Sequence, residues 1–456
     1  MRKIKMSIDT QITIELIREL IKQHEAERAR IIKMKDYYKG LNHAIKNRQY
    51  KDQNKPSNKL YSGYASYITD NFVGYMLGQP IAYNSDNLEL LEKLNESFIY
   101  NDEIDNNTTL AQEQSIVGYA YELLYRDDLS NARFSHVNTE EMIVVYDNNL
   151  EERELFAIRY IDINDDSKLV YIYDKTNEYT YKVNDKDEYS LVDTDEHYFD
   201  DVPVCTYENN RQRIGDFEKV LSLIDAYDKS NSDTANDFEY FTDALLAVYG
   251  VVMDNKDENG NPLDFKNNRI LNFADANSKA EYVIKNINDT ALENYKNRLN
   301  RDILRFANVI DMSDENFASN LSGVALKFKL QGMENITSIK EAKFRKGLMK
   351  RIELLAAFLN LKTNTEYTYT EITPIFVRNI PSNEAETIEI AKGLVGTGLV
   401  SLNTLRSQIP FIENPQKEKE LLEKEEQEMF DDYEFEENEE ENEEENEEEN
   451  EVIENE

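Results

Sequence analysis

The residues that could do chemistry are few and poorly placed for it. Four histidines, His24, His43, His136 and His197, stand far apart, and none has the spacing of a metal pair. Each reads as a surface histidine. The one cysteine, Cys205 in Pro-Val-Cys-Thr-Tyr, reads as a small buried apolar residue in a strand rather than a nucleophile. A lone cysteine forms no disulfide within the chain and suits a reducing interior. A Gly-x-x-x-x-Gly-Lys-Ser/Thr loop is absent, which argues against a nucleotide-driven motor. The Gly-rich run Gly393–Gly398 lacks the lysine and a preceding strand, so it reads as a bend between helices. Acidic pairs such as Asp127/Asp128 and Asp165/Asp166 could in principle hold a metal for a nuclease. In a chain with 91 acidic residues such pairs arise by chance. A Ser–His–Asp arrangement cannot be argued without geometry. The expectation is no enzyme, no catalytic or metal site and no cofactor.

The elements that carry these residues are those of a surface-rich, acidic protein. The chain has 456 residues and a formal net charge of -39, enough length for two to four domains with a real core. Residues 431–456 hold 17 acidic side chains and no Lys or Arg, so the rest still carries about -22. Such a surface should not cling to nucleic acid, because tight non-specific binding needs Lys and Arg to displace counterions. An acidic conduit along which DNA slides is compatible with it. No apolar run reaches the length of a membrane span, and no membrane is expected as a partner. The basic start is followed by Asp9, Glu15 and Glu19 in an amphipathic helix, which does not read as a signal peptide.

Along the chain, residues 10–45 read as amphipathic helix, stopped at Gly40. A polar excursion with Pro56 precedes a helix over 60–77, closed by Gly78 and Pro80. Short alternating runs over 115–210 predict an antiparallel sheet. Over 216–248, Phe217, Val220, Ile224, Tyr227, Asn231, Thr234, Phe238, Phe241, Leu245 and Val248 alternate by threes and fours, the pattern of one long heptad-seamed helix. A strand-and-turn module follows around Asn259-Gly260 and Asn261-Pro262, with strand candidates at 251–253, 269–273 and 280–284. A second helix runs over 289–309. Asp311, Ser313, Asp314, Glu315, Asn316, Ser319 and Asn320 make a polar loop without an apolar face. It leads into a long helix over 323–361 that reads as the one basic element, with Lys327, Lys329, Lys340, Lys343, Arg345, Lys346, Lys350 and Arg351. A strand over 368–377 and short helices over 385–394 and 402–409 come next, then a charged helix over 413–428. From Phe430 on, Asn recurs every fourth residue in a Glu-rich block too charged to bury itself, so it reads as disordered.

This order, and three stretches of wording, resemble the phage portal family, the head-to-tail connectors of long-tailed double-stranded-DNA phages, in its Gram-positive siphophage branch. The stretches are Val73–Pro80 (Val-Gly-Tyr-Met-Leu-Gly-Gln-Pro), the helix start Gly215–Asp228 with Ser232–Phe238, and Ser313–Leu330. The resemblance covers about residues 30 to 415. It implies an α+β portal fold with a mainly helical stem and crown, an antiparallel-β-containing wing and a small α/β clip. Mapped on the chain, it gives an N-terminal helical arm over 1–59, wing over 60–215, first stem helix over 216–248, clip over 249–288, second stem helix over 289–309 and tunnel loop over 310–322. The long wing helix and strand then take 323–384, the crown 385–429 and the acidic tail 430–456.

The resemblance further implies a homo-oligomeric ring, of twelve subunits in the capsid, at the portal vertex of the virion. DNA enters through its bore during packaging in the host cytoplasm and leaves by the same route. Its partners would be the terminase large subunit, the head–tail adaptor, and major capsid and scaffold proteins. Asp311, Ser313, Asp314, Glu315, Asn316 and Asn320 would face DNA in the tunnel loop. Lys327, Lys329, Lys343 and Arg345 could face phosphates or pair with neighbouring acids. Ile224, Tyr227, Phe238, Phe241 and Leu245 would form the inter-subunit stem seam. Asp254, Asp257, Glu258 and Asn261 would lie on the clip surface that meets terminase and adaptor. The acidic tail is outside the family's core pattern. Two other readings compete: a different acidic capsid or scaffold protein, which would not need the helix–β–helix–loop insertion, and a metal-dependent hydrolase, which would gather carboxylates around a pocket.

Overall fold

The structure is a computed structural model that describes residues 3–49, 56–164, 167–241, 245–249, 279–283, 289–312, 323–379, 384–407, 409, 412, 415–425 and 427. It divides into two units: residues 1–320 with 327–379, and residues 321–326 with 380–456.

Two apolar clusters organise much of the described part of the first unit. In one, a single helix lies on a sheet. Helix α1 (Ile14–Tyr38) starts at Thr13, whose side chain accepts the Leu16 amide at 3.2 Å. It buries Ile17, Leu20, His24, Glu27, Ile31, Met34 and Tyr37 at helical spacing. Its N-terminal half packs on a six-stranded sheet of strand order β1-β5-β6-β7-β8-β9, formed by β1 (Ile4–Met6), β5 (Met142–Asp147), β6 (Glu154–Asn164), β7 (Ser167–Tyr173), β8 (Asn177–Asn184) and β9 (Tyr189–Glu196). All neighbours are antiparallel except β1, which pairs parallel with β5. Ile17 and Leu20 meet Ile143, Val145, Phe156, Ile158, Val170 and Ile172, alternating residues of the buried face.

The sequence pattern missed strand β1 and set the N-terminal helix apart as an arm. Lys3, Ile4, Lys5 and Met6 are too few to show a period, and only the free edge of β5 makes them a strand. The N-terminus therefore adds an edge strand to the sheet expected over 115–210.

The second core gathers α3 (Tyr64–Leu77), α4 (Leu88–Tyr100) and α5 (Glu103–Val117) with the sheet β10-β3-β4, formed by β3 (Tyr119–Arg126), β4 (Ala132–Val137) and β10 (Val204–Glu208). The second half of a long helix, Gly323–Thr363, runs through it with Phe344, Leu348, Ile352 and Leu355 fully covered. A two-stranded ladder, β2 (Ala82–Ser85) with β13 (Ile372–Ile375), closes its edge. The strand expected over 368–377 is shorter because a 3-10 turn occupies Tyr369–Glu371.

Helix α6 (Leu221–Phe241) leaves this body and α7 (Asp289–Ala307) returns to it, the two packing on each other. Between them β11 (Leu245–Tyr249) pairs antiparallel with β12 (Lys279–Val283). The long helix Gly323–Thr363 is α8. Its 41 residues span about 60 Å at ~1.5 Å per residue. The second unit contains α9 (Glu384–Leu394) and α10 (Leu402–Arg406), the latter capped by Ser401, and a helical run over 415–425. Among the described residues no helix is long and apolar enough to cross a membrane.

Candidate functional site

The loop Asn209–Asp216 is the root from which α6 departs, and glycine fixes where it lies. A Cβ on Gly215 would stand 2.2 Å from the Ile116 carbonyl oxygen, and one on Gly118, at φ +101°, would stand 2.4 Å from the Arg213 backbone. With both residues bare, the Asp216 amide donates to Ser115 O at 2.8 Å and the Asn209 amide donates to Gly118 O at 2.9 Å. Asp216 then accepts from Lys340 of α8, whose ammonium also donates to Ser115 Oγ at 2.5 Å. Lys340 is 1% exposed. Burial pushes its pKa below the usual lysine range, and Asp216 opposes that shift. One ion pair thus ties α5, the start of the excursion and the long helix together.

Farther along α6, Asp225 accepts from Tyr37 Oη at 2.7 Å, and Asp228 accepts from Asn42 Nδ2 at 2.7 Å and the Ser62 amide at 2.8 Å. Burial raises the Asp228 pKa. The backbone of Asn58 donates to Asn236 Oδ1 at 2.7 Å. Helix α7 is held by Tyr64, whose hydroxyl donates to Asn300 Oδ1 at 2.6 Å. One turn on, Tyr67 Oη donates to Ile310 O at 2.9 Å and accepts the Met312 amide at 3.1 Å. Tyr67 therefore sets the direction in which the chain enters the polar segment after Asp311.

Helix α8 is anchored a second time by Arg351, which is fully buried. Its guanidinium makes a two-pronged contact with Glu122, Nε at 2.9 Å and Nη2 at 2.7 Å, and also reaches Glu103 at 3.2 Å and Asn107 Oδ1 at 2.8 Å. Tyr207 Oη and Asn106 Nδ2 donate to the same Glu122 carboxylate, at 2.8 and 2.6 Å. Every ionic member has hydrogen-bond partners, the condition under which a buried ion pair is tolerated; removing one partner from such a pair costs about 3–5 kcal/mol. Toward the other end of α8, Glu334 accepts from Tyr75 at 2.7 Å and from Arg378 at 2.9 Å.

The sequence-derived site residues fall into three groups. Ser313, Asp314, Glu315, Asn316 and Asn320 of the polar loop, and Asp254, Asp257, Glu258 and Asn261 of the expected clip surface, lie outside the described residues, as do the strands expected at 251–253 and 269–273. Asp311 is described and half-buried.

The helix expected to carry the seam is corrected in its extent: it does not run on to Val248. Leu245 is in β11 and not in a helix continuing to Val248, because Leu-Leu-Ala-Val-Tyr is taken up by the ladder with β12. Ile224 is 1% exposed, buried within its own chain. Tyr227 is half-buried with its ring edge-on to Tyr64, at a 5.0 Å centroid distance. Phe238 is 58% exposed, and Phe241 ends the described part of α6.

Of the four basic residues, Lys327 and Lys329 are exposed. Lys343 lies 3.5 Å from Glu208, and Arg345 pairs with Glu341 at 3.0 Å and donates to Pro374 O. The surface reading of the histidines is corrected as well. His24 and His197 are 2% and 6% exposed, His24 bonding Tyr160 through Nδ1 at 2.8 Å and His197 bonding Asp174 O through Nε2 at 3.1 Å. Cys205 is fully buried in β10, and burial raises its thiol pKa.

Sequence reasoning missed Lys340, Arg351 and Tyr67. Lys340 and Arg351 fall within the apolar repeat of α8, Lys340 between Ile336 and Phe344 and Arg351 between Leu348 and Leu355, and that position was the available signal. The gathered carboxylates of a hydrolase are not found: among the described residues no group of three His, Cys, Asp or Glu side chains could hold a metal ion.

Comparison with known proteins places this arrangement. The family model described as phage portal protein, SPP1 Gp6-like, matches residues 17–448. A portal protein of Bacillus phage SPP1 is 25% identical over 456 aligned residues, 90% of this chain and 86% of that one. A portal protein of Clostridium phage phiCD119 is 26% identical over 454, covering 90% and 95%. Among solved structures, the neck of an empty GTA particle computed with C6 symmetry aligns with a TM-score of 0.46 at 10% identity, over 76% of this chain and 90% of that one.

Proposed function

The chain belongs to the SPP1 Gp6-like family of phage portal proteins, the structural, non-enzymatic head–tail connectors of the virion's portal vertex, and from that premise we propose that copies of it close into a ring of twelve around a bore that passes double-stranded DNA. Helices α6 and α7 are then the stem, β11 and β12 the base of the clip, and residues 310–322 the tunnel loop narrowing the bore, with Asp311, Ser313, Asp314, Glu315, Asn316 and Asn320 toward DNA. Lys327 and Lys329, exposed where α8 begins, face phosphates in this reading. Residues 385–429 form the crown. The clip, with Asp254, Asp257, Glu258 and Asn261, meets the terminase large subunit during packaging in the host cytoplasm and the head–tail adaptor afterwards. Capsid and scaffold proteins surround the ring.

The observation that carries this reading is the rooted excursion. Two packed helices, with an antiparallel strand pair between them in the chain, are fastened to the body by Lys340, Asp228, Tyr64 and Tyr67. A stem must hold its angle under the force of packaging, and buried ion pairs and hydroxyl pins at its root do that. Electron microscopy of the purified chain tests the ring: annuli with an axial hole about the width of duplex DNA are expected, and a solitary particle sinks the reading. Charge reversal within 311–320 should then impair DNA packaging and leave the annuli intact; normal packaging would remove the loop assignment alone.

A further inference from the structure

A hollow of about 330 Å3 opens where the Asn209–Asp216 loop, the end of α7 and the middle of α8 meet. Phe306, Ile336 and Ile339 supply its apolar wall. Phe306 and Ile339 are each 56% exposed, an unusual state for large apolar side chains lining one concavity. The apolar face continues beyond the hollow, because Phe328, 77% exposed, lies about three turns before Ile339 on the same side of α8.

A polar feature of the hollow is also incomplete. Asn209 lines it and is 1% exposed. Its Nδ2 donates to Ile214 O at 2.9 Å and to Asp216 Oδ1 at 2.8 Å, which fixes the orientation of the amide. Its Oδ1 is buried and has no donor, a state that native structures seldom leave unfilled. At the rim, Arg211 and Lys219 are exposed, and among the described residues neither pairs with a carboxylate. In a chain where acids outnumber bases 91 to 52, another copy has carboxylates to offer them.

We propose that this hollow is a socket for a second copy of this chain. The neighbour brings an apolar side chain against Phe306, Ile336 and Ile339, a hydrogen-bond donor to Asn209 Oδ1, and carboxylates to Arg211 and Lys219. The inference rests on the ring reading and names its receiving surface. Charge decides for a second copy: it carries the acidic surplus that a basic rim matches. A ring also needs a head-to-tail contact with a socket on one side of each copy. Seated at the shared root of α6, α7 and α8, the neighbour touches the elements that set the stem angle.

The test uses the full chain and two variants at exposed positions, Ile339→Asp and the pair Arg211→Glu with Lys219→Glu. Thermal melts by circular dichroism establish that each remains folded, and native mass spectrometry reads assembly. The wild type is expected to form rings, and each variant to need a concentration at least about tenfold higher for the same ring fraction. A photo-crosslinking residue placed at 339 is expected to join two copies. Variants that form rings as readily as the wild type overturn the socket and leave the ring reading standing. So does a crosslink from 339 that reaches only capsid or adaptor protein in assembled particles. A wild-type chain that never forms rings removes the ring reading, and the socket with it.

Discussion

At the scale of single residues, the chain spends its scarce cations and histidines on holding itself together. Arg351 and Lys340 lie in the interior against Glu122, Glu103 and Asp216, and His24 sits under the sheet with Tyr160. His24 carries a testable consequence. Burial lowers its pKa from the ordinary 6.5 to about 4, with Glu27 and Glu140 pulling upward and Arg28 and Arg213 downward. The folded state therefore favours the neutral ring. Above pH 6.5 the group contributes no pH dependence. As pH falls from 6.5 toward 4, the unfolded chain takes up a proton that the folded chain refuses, and stability drops by up to about 3 kcal/mol. His136 and His197, also lowered by burial, act in the same direction, whereas the raised carboxyls of Glu154, Glu178 and Asp228 act against it. The clean readout is a difference. Urea unfolding at pH 7 and pH 5 should show a smaller acid-induced loss for His24→Gln than for wild type; an equal loss in both would show that His24 titrates normally.

At the scale of elements, α8 is the helix on which the others are hung, and two of its glycines make opposite predictions. A Cβ on Gly347 would fall 2.6 Å from two carbons of the Tyr207 ring. Tyr207 cannot step aside, because it is fully buried, bonded to Glu122 and packed on Phe344 at a 4.7 Å centroid distance. Gly347→Ala should destabilise by about 1–3 kcal/mol despite the better helix propensity of alanine. Gly332→Ala meets only Asn308 Oδ1 at 3.6 Å and should stabilise by up to about 1 kcal/mol. Urea titrations of the two variants decide it, and a neutral Gly347→Ala would mean that Tyr207 moves. The elements themselves were largely legible, because α1, α3, α7 and α8 have apolar periods long enough to be read. The seam at 216–248 was over-read: a three–four alternation cannot distinguish a helix from a helix followed by a short strand, and Leu245–Tyr249 satisfies both periods. Strand β1 was invisible because its partner supplies its order. The site was legible only as positions in a family pattern. Lys340 and Arg351 were hidden because composition counts a lysine or arginine as surface whether or not a carboxylate waits for it inside.

At the scale of the whole molecule, the balance of charge decides how the proposed ring would treat DNA inside it. Non-specific affinity for duplex DNA comes from Lys and Arg displacing condensed counterions, with Kd values of about 10⁻⁴–10⁻⁶ M for proteins built to bind. Here the long basic helix has committed many of its cations: Lys350 to Asp201, Lys343 to Glu208, Arg345 to Glu341, and Lys340 and Arg351 to the core. The acidic tail is not what keeps DNA off, since without the 17 acids of 431–456 the remainder still carries about -22. Fluorescence anisotropy with a short labelled duplex at physiological salt should therefore show binding weaker than about 10⁻⁴ M for the full chain and for a chain ending at Phe430 alike. Tight binding by the shortened chain alone would make the tail an electrostatic shield over a gripping surface. Tight binding by both would place a basic track in the bore, and the wall would then hold DNA by attraction where the charge count expects DNA to slide.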